Sequence, residues 1–329
     1  MAEQRRRQAL TEILLQTLDA EEQRRTRIAW LYYVEGKTQG EIAAILGLHR
    51  LKVNRELALC RERGMVQIRI NGELAGCVAL ERRLQALYGL RDAVVVPTPE
   101  READVSPVVG MALGHYISDH LQPGMTVGIG WGRTLRWSVR SLRQQHVPNL
   151  TVVSLMGGLG RASDFNTYET ATRFAERYEA PCYYFAAPTF VETEELRELL
   201  LRQSWLHSVY DRGRKADITI TSVGALASTS LVMRIGLLTT AEMNSLLRAG
   251  AVGDLLCHFL DANGNLVDHP LNRRVVGLAP GELSDVGTRV VVGGGREKIA
   301  ALRAVLRGRL ADVLITDESN AGALCQDSA

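Results

Sequence analysis

From Arg91 onward the chain repeats one pattern, a short β-branched run followed by a helix-length segment. The runs are "AVVVP" (Ala93 to Pro97), "TVGIG" (Thr126 to Gly130), "LTVVSL" (Leu150 to Leu155), "ADITIT" (Ala216 to Thr221), "RVVVGGG" (Arg289 to Gly295) and "VLITD" (Val313 to Asp317). Strands that alternate with helices imply an α/β domain, a mostly parallel sheet with helices on both faces. Several of the runs end in glycine-rich loops, and open α/β sheets bind ligands at the carboxyl ends of their strands.

Four loops carry the candidate chemistry. "GIGWGRT" (Gly128 to Thr134) follows a strand and opens a helix, so its backbone N–H groups can approach an anion at the positive end of that helix. Gly130, Trp131, Gly132, Arg133 and Thr134 are the candidates there. "MGGLGRA" (Met156 to Ala162) adds Gly157 and Gly158, and "GAVGDLLCHFLDANG" (Gly250 to Gly264) adds Asp254, His258 and Asp261. "GGGREK" (Gly293 to Lys298) delivers Lys298 into the first turn of a helix. Tight turns need glycine in any case, so each loop alone reads equally as a turn. Their shared position at strand ends is what points to a pocket. There is no GxGxxG with a downstream ribose-binding acid and no GxxxxGK[ST], which disfavours dinucleotide and NTP binding.

The residues before Arg91 have a different texture. Residues 1–70 hold 13 Lys+Arg against 9 Asp+Glu, whereas the whole chain of 329 residues has 39 against 37. The remainder is therefore slightly acidic, and a basic head on a near-neutral body points to a polyanion at one end. Within that head, "TQGEIAAILGLHRLKVNREL" (Thr38 to Leu57) packs two short helices around a tight corner. Ile28, Leu31 and Tyr32 form one helical stripe that Gly36 ends. Thr38 and Glu41 have the spacing of a capping box. Ile42, Ile45 and Leu46 give the second helix its buried face, and Gly47 permits the sharp turn. A third helix runs from about Arg50 to Arg63 with Val53, Leu57 and Cys60 inward.

Two helices joined by a short glycine turn form a helix-turn-helix. With Val53 inward, the leading face of the third helix presents Leu51, Lys52, Asn54 and Arg55 without an acid among them. Asn reads adenine, Arg reads guanine and an exposed Leu meets a thymine methyl in a major groove. Arg50 and the start of the second helix at Thr38 and Gln39 are placed to hold phosphates. "GMVQIRI" (Gly64 to Ile70) alternates as a β-wing. "GELAGCVALERRLQALYGL" (Gly72 to Leu90) reads as an amphipathic linker helix, either packed on its own domain or forming a dimer contact. A lone αα-hairpin in an ordinary bundle is the plain alternative, and the basic third helix argues against it.

The five cysteines are spread with no CxxC pair, which fits reduced thiols in a cytosol better than disulfides or a zinc site. No signal peptide follows the basic start, and no run of about 18 apolar residues suits a membrane span. The expected location is cytoplasmic, with no metal and no cofactor.

At this point the chain resembles a family, the SorC-type (also called DeoR-type) bacterial sugar-responsive transcriptional regulators. The resemblance covers nearly the whole chain and is carried by "YYVEGKTQGEIAAILGLHRLKVNREL", "GIGWGRTL", "MGG", "GAVGD" with "FLDANG", "GGGREKIAAL" and "LITDESNAGALC". It implies a winged helix-turn-helix domain at 1–71, a linker helix at 72–90 and, at 91–329, a Rossmann-like effector domain similar to sugar-phosphate isomerases. It also implies double-stranded operator DNA as a partner, self-association as dimer or tetramer, and a sugar, polyol or phosphorylated effector. A sugar-phosphate isomerase with an appended helical domain is the competing class, with Asp254, His258, Asp261 and Lys298 as its acid–base groups. The basic reading helix has no use in an isomerase, so a regulator with no catalytic residues, and a repressor of a catabolic operon, is the expectation. Its effector would have its phosphate held by Gly132, Arg133, Thr134 and Lys298, with Trp131 as a wall and Asp254 and Asp261 accepting hydroxyl protons. A neutral polyol stays open, since the acids need no phosphate.

Overall fold

The computed structural model describes residues 20–63, 65–66, 74–159 and 167–326, and the chain divides into two units at 72/73. The first unit contains α1 (residues 20–33), α2 (Gln39–Leu46) and α3 (Arg50–Glu62). The capping box forms as the spacing requires: the Thr38 side chain accepts from the Glu41 amide, and the Glu41 carboxylate accepts from the Thr38 amide at 2.8 Å. Gly47 closes α2 at φ +64°, a left-handed value that glycine adopts without strain. Ile28, Ile42, Ala43, Val53 and Leu57 make the core.

Ile45, expected on the buried face of α2, is 57% exposed. Stepping 100° per residue, Ile42, Ala43 and Leu46 centre the packed face, and Ile45 falls outside it. An ion pair between Arg25 Nε and Glu56 Oε2 (2.8 Å) bolts α1 to α3, with side chains only 8% and 13% exposed. The expected wing falls largely on residues 64 and 67–70, which lie outside the described residues.

In the second unit, α4 (Ala75–Tyr88) precedes β1 (Asp92–Val96), α5 (Glu102–His120), β2 (Thr126–Ile129), α6 (Arg133–Arg140), β3 (Thr151–Gly158), α7 (Thr167–Arg177) and β4 (Cys182–Pro188). Helices α8 (Glu194–Leu201) and α9 (Ser204–Arg214) lead to β5 (Ile218–Ala225), α10 (Leu231–Arg234), α11 (Thr240–Arg248), β6 (Gly253–Leu255) and β7 (His258–Leu260). The remainder is β8 (Thr288–Val292), α12 (Ile299–Arg307), β9 (Val313–Asp317) and α13 (Glu318–Gln326). The sheet runs β1-β9-β8-β5-β2-β3-β4, with every pair along that path parallel.

The two-residue period of a strand sorts its side chains onto two cores. Val290, Val292, Val313 and Ile315 join Val109 and Leu113 of α5 and Phe174 of α7 on one face. Val291 and Leu314 join Leu84 of α4, Leu302 of α12 and Leu324 of α13 on the other. The segment read as a linker helix thus lays Cys77 and Leu84 into the core of this unit.

Six of these strands coincide with the β-branched runs. Strand β4 was not expected, because "CYYFAAP" is aromatic rather than β-branched. The glycine-rich stretch Gly250 to Gly264 holds a hairpin, β6–β7, paired antiparallel on the end of β5. Its turn is Leu256–Cys257, with φ of +55° and +59°. Both residues take the left-handed values that hairpin turns usually assign to Asn and Gly.

Candidate functional site

The carboxyl ends of β2, β5 and β8 meet at a cleft. Trp131, Gly132 and Arg133 enter it after β2, Ser222 to Ala225 from β5, Asp254 from β6, and Glu297 and Lys298 after β8; Ser230, Leu231 and Val232 line it as well. Four of the sequence candidates beyond the glycines, Trp131, Arg133, Asp254 and Lys298, thus come together.

Close backbone approach shapes the entrance. Gly132 has φ +129°, and a Cβ there would overlap Ser222 Oγ, which itself donates to the Trp131 carbonyl at 2.8 Å. Helix α6 starts at Arg133 with no side-chain cap, so its first amides have no partner from that source. Thr134 in that first turn is fully buried, and its hydroxyl has no partner. Arg133 pairs with Glu297 at 3.3 Å across the entrance, with both side chains about a third exposed.

Deeper in, Asp254 and Lys298 are both nearly sealed, at 2% and 7% exposure. Asp254 Oδ2 accepts from the Cys257 amide at 3.1 Å, while Oδ1 lies against Gly224 and has no hydrogen-bond partner. Burial pushes this carboxyl up to about 6, against the pull of the Cys257 amide and of the Lys298 charge. Burial likewise lowers the Lys298 ammonium to about 8, helped by Arg133 and opposed by Glu297 and Asp254. No hydrogen bond or ion pair to this ammonium is present among the described residues. An unpartnered buried cation beside uncapped helix amides is an arrangement that an anion completes.

Other candidates lie elsewhere. Asp261 is not brought to the cleft: its Oδ1 accepts from the amides of Asn263 (2.8 Å) and Asn265 (2.9 Å), so the carboxylate is spent on the D-A-N-G turn. Gly157 and Gly158 do not line it either. A Cβ on Gly157 would meet the Ala187 and Pro188 carbonyls of β4 and its end, and one on Gly158 the Tyr168 ring of α7, so close packing of β3 against β4 and α7 explains both. Gly130 and Thr134 stand behind the lining, Gly130 bonding the Ile220 carbonyl through its amide at 2.9 Å. His258 is buried with Nδ1 at 3.0 Å from the Leu256 carbonyl, and burial lowers it to about 4, which leaves it a neutral imidazole. The four acid–base groups that an isomerase would need are therefore not assembled in one place. Ser222, Ser230 and Glu297 line the cleft without having been expected there. Ser222 follows the β-branched run "ADITIT" within the same strand, which is the signal that could have found it.

On the first unit, Thr38, Gln39 and Arg50 line one surface groove with Tyr32 and Lys37. Leu51 is 83% exposed, and Lys52, Asn54 and Arg55 are exposed beside it, with Val53 and Leu57 buried behind. Among the described residues, no helix is long and apolar enough to cross a membrane, and no group of three His, Cys, Asp or Glu could hold a metal ion. None of the five cysteines is in a disulfide.

Residues 72–326 match the family described as "Putative sugar-binding domain". The chain is 34% identical over 308 residues to the erythritol catabolism regulatory protein EryD of Brucella abortus, covering 93% of this chain and 97% of that one. It is 31% identical over 303 residues to the deoxyribonucleoside regulator of Bacillus subtilis, covering 91% and 96%. A DeoR family transcriptional regulator from Listeria monocytogenes superposes with a TM-score of 0.71 at 26% identity, over 75% of this chain and 99% of that one. The full-length sorbitol operon regulator SorC of Klebsiella pneumoniae shares the fold, with a TM-score of 0.72 at 24% identity over 94% and 100% of the two chains.

Proposed function

We propose a mode of action for this chain, which belongs to the SorC/DeoR-type family of sugar-binding transcriptional regulators: a phosphorylated sugar or polyol enters the cleft and alters how α3 holds operator DNA. The protein is a regulator and not an enzyme. The observation that carries the effector class is Lys298, buried and unpartnered, beside the uncapped start of α6. Its ammonium acts as a point charge on a phosphate, with the amides of Gly132 to Thr134 as further donors. Asp254 Oδ1, which has no partner, accepts a hydroxyl proton from the sugar or polyol. Trp131 forms the wall, and the Arg133–Glu297 pair opens so that Arg133 joins the phosphate.

At the other end, α1 to α3 act as a helix-turn-helix. Leu51, Lys52, Asn54 and Arg55 reach base edges, while Arg50, Thr38 and Gln39 hold phosphates. One reading helix contacts too few bases to be selective, so the chain acts as a dimer or tetramer on paired half-sites. Light scattering that shows a monomer both free and on DNA refutes that assembly.

The test of the effector reading is a thermal-shift panel. The panel holds erythritol and 2-deoxyribose, each free and phosphorylated, with glycerol 3-phosphate, chosen because two relatives are named for erythritol and for deoxyribonucleosides. A ligand at about 100 times its Kd adds roughly 2.7 kcal/mol of stability. Stabilisation by phosphorylated members alone is the expected result. Equal stabilisation by an unphosphorylated polyol moves the reading to a neutral effector.

A further inference from the structure

The motif "LITDESNAGALC" (Leu314 to Cys325) lies outside the cleft, yet it grips the loop that carries Lys298. Asp317 and Asn320 are 1% and 0% exposed. Asp317 Oδ2 accepts from the Gly295 amide at 2.9 Å, and Oδ1 accepts from Thr98 Oγ1 at 2.9 Å and from the Asn320 amide at 3.2 Å. Asn320 Nδ2 donates to the Gly295 carbonyl at 3.1 Å. One short segment thus holds both polar atoms of the Gly295 main chain. Gly295 takes φ +92° and opens the turn Arg296–Lys298, so its frame sets where Lys298 points. Asn320 Oδ1 has no partner. A residue kept for packing alone at this depth would be apolar, and Asn320 leaves one acceptor unsatisfied while holding Gly295.

The same segment is the start of α13, and α13 lies along α4. A Cβ on Gly76 would meet Glu318 Oε1 at 3.3 Å, at the first residues of both helices. At their far ends Arg83 Nη2 donates to the Cys325 carbonyl and Tyr88 Oη to the Leu324 carbonyl, each at 2.9 Å. The two helices therefore run side by side in one direction. Ala321 and Leu324 of α13 share a core with Cys77 and Leu84 of α4. Close-packed helices of this kind shift as bodies rather than deform. Helix α4 is the first element after the boundary at 72/73, beyond which the chain continues into the reading helices.

We propose that Asp317 and Asn320 are positioning residues that transmit occupancy of the cleft to α4. The proposal rests on the effector reading above. A phosphate on Lys298 pulls on the turn Arg296–Lys298, Gly295 moves with it, and the bonds to Asp317 and Asn320 carry that movement into α13. Glu318, next in the chain, stands against Gly76 and hands it to the start of α4. Neither Asp317 nor Asn320 touches the effector.

Two measurements on the full chain test this. The first needs no ligand: hydrogen–deuterium exchange of wild type and Asn320→Ala, with Thr98→Val as the second variant at the exposed rim of the same latch should Asn320→Ala fail to fold. Exchange about threefold faster in both 293–298 and 75–83, with β2 and β3 unchanged, is the expected result. A change confined to 293–298, or one spread evenly over the unit, overturns the proposal. The second uses glycerol 3-phosphate, erythritol 4-phosphate and 2-deoxyribose 5-phosphate as probes, with a duplex that wild type selects from a random pool. In Thr98→Val the Kd for a probe that stabilises wild type stays within about twofold, while that probe's effect on DNA affinity shrinks by about fivefold or more. An undiminished effect on DNA affinity overturns the coupling. If no probe stabilises wild type, the phosphate reading falls, and the exchange measurement decides the coupling by itself.

Discussion

Replacing Asp254 by asparagine should make this protein more stable and less responsive at once. Asp254 is 2% exposed, one of its oxygens has no partner, and burial lifts its carboxyl from 3.8 to about 6. The folded chain therefore holds this proton more tightly than the unfolded chain does. Below about pH 4 both states carry the proton, and the site costs nothing. Between about pH 4 and 6 the unfolded state ionises first, so wild type loses stability as pH rises, and above about pH 6 the loss is complete. At about 1.4 kcal/mol per pH unit, a separation of roughly two units amounts to about 3 kcal/mol. Lys298 titrates near 8 and stays charged throughout this window. Asparagine cannot ionise, and its carbonyl oxygen can still accept from the Cys257 amide. Asp254→Asn should thus match wild type near pH 4 and exceed it by about 3 kcal/mol at pH 7, a rise in melting temperature of roughly 6–12 °C for a unit of this size. Chemical denaturation of both full chains across pH 4 to 7 reads this directly, because the first unit is identical in both and cancels in the difference. The variant should also lose stabilisation by the effector, whose hydroxyl needs the carboxylate. Stability curves that run parallel across the window, or a variant weaker than wild type at pH 7, would refute the reasoning.

Lys298→Met should likewise stabilise the unliganded protein at pH 7, by about 3 kcal/mol, because the buried ammonium, lowered from 10.5 to about 8, costs the folded state wherever it is charged in both states. That gain shrinks as pH rises from about 8 to 10.5, and the thermal shift with phosphorylated ligands disappears at every pH; a retained shift places the phosphate elsewhere. Arg55→Ala should weaken specific DNA binding by roughly 1–3 kcal/mol and relax one base preference, measured as the ratio of cognate to random duplex affinity, and an unchanged ratio removes Arg55 from the base-reading set. Arg25→Ala should destabilise the first unit by about 3 kcal/mol by leaving Glu56 unpaired, and Arg25→Ala with Glu56→Ala should lie closer to wild type than the single change does. Denaturation followed by fluorescence of Trp30 reads both, and additive losses would show that the two charges do not interact.

The parallel sheet was legible because six of its strands are β-branched runs, the residue types that a strand buried on both faces requires. Strand β4 was hidden, since Tyr183, Tyr184 and Phe185 suit a strand but carry no periodic signal of their own. The β6–β7 hairpin was hidden for a sharper reason: its turn is Leu256–Cys257, buried residues in left-handed conformations, so the usual Asn-Gly punctuation is missing. That hairpin is what separates two acids read as one group. Asp254 is on its first strand and enters the cleft, while Asp261 follows its second strand and closes a turn. In the first unit, the capping box at Thr38 and the inward Val53 and Leu57 follow from local spacing alone. The Arg25–Glu56 pair does not, because it joins residues 31 apart in sequence.

Strand order has a consequence for how the protein is made. Strand β1 lies beside β9 and pairs with it from Asp92–Val313 through Val96–Asp317, although they are the first and last strands among the described residues. Helix α4 leans on α13 in the same way. The second unit therefore cannot seal one edge of its sheet until nearly all of its residues have left the ribosome. Such long-range pairing is slow, because loop closure must precede its reward. Helices α1 to α3 of the first unit are tied by contacts such as Arg25–Glu56, 31 residues apart, and they emerge earlier. The nascent chain should thus hold a folded DNA-reading head before its sensor exists, and loss of β9 and α13 should leave that head intact, attached to an unpartnered β1.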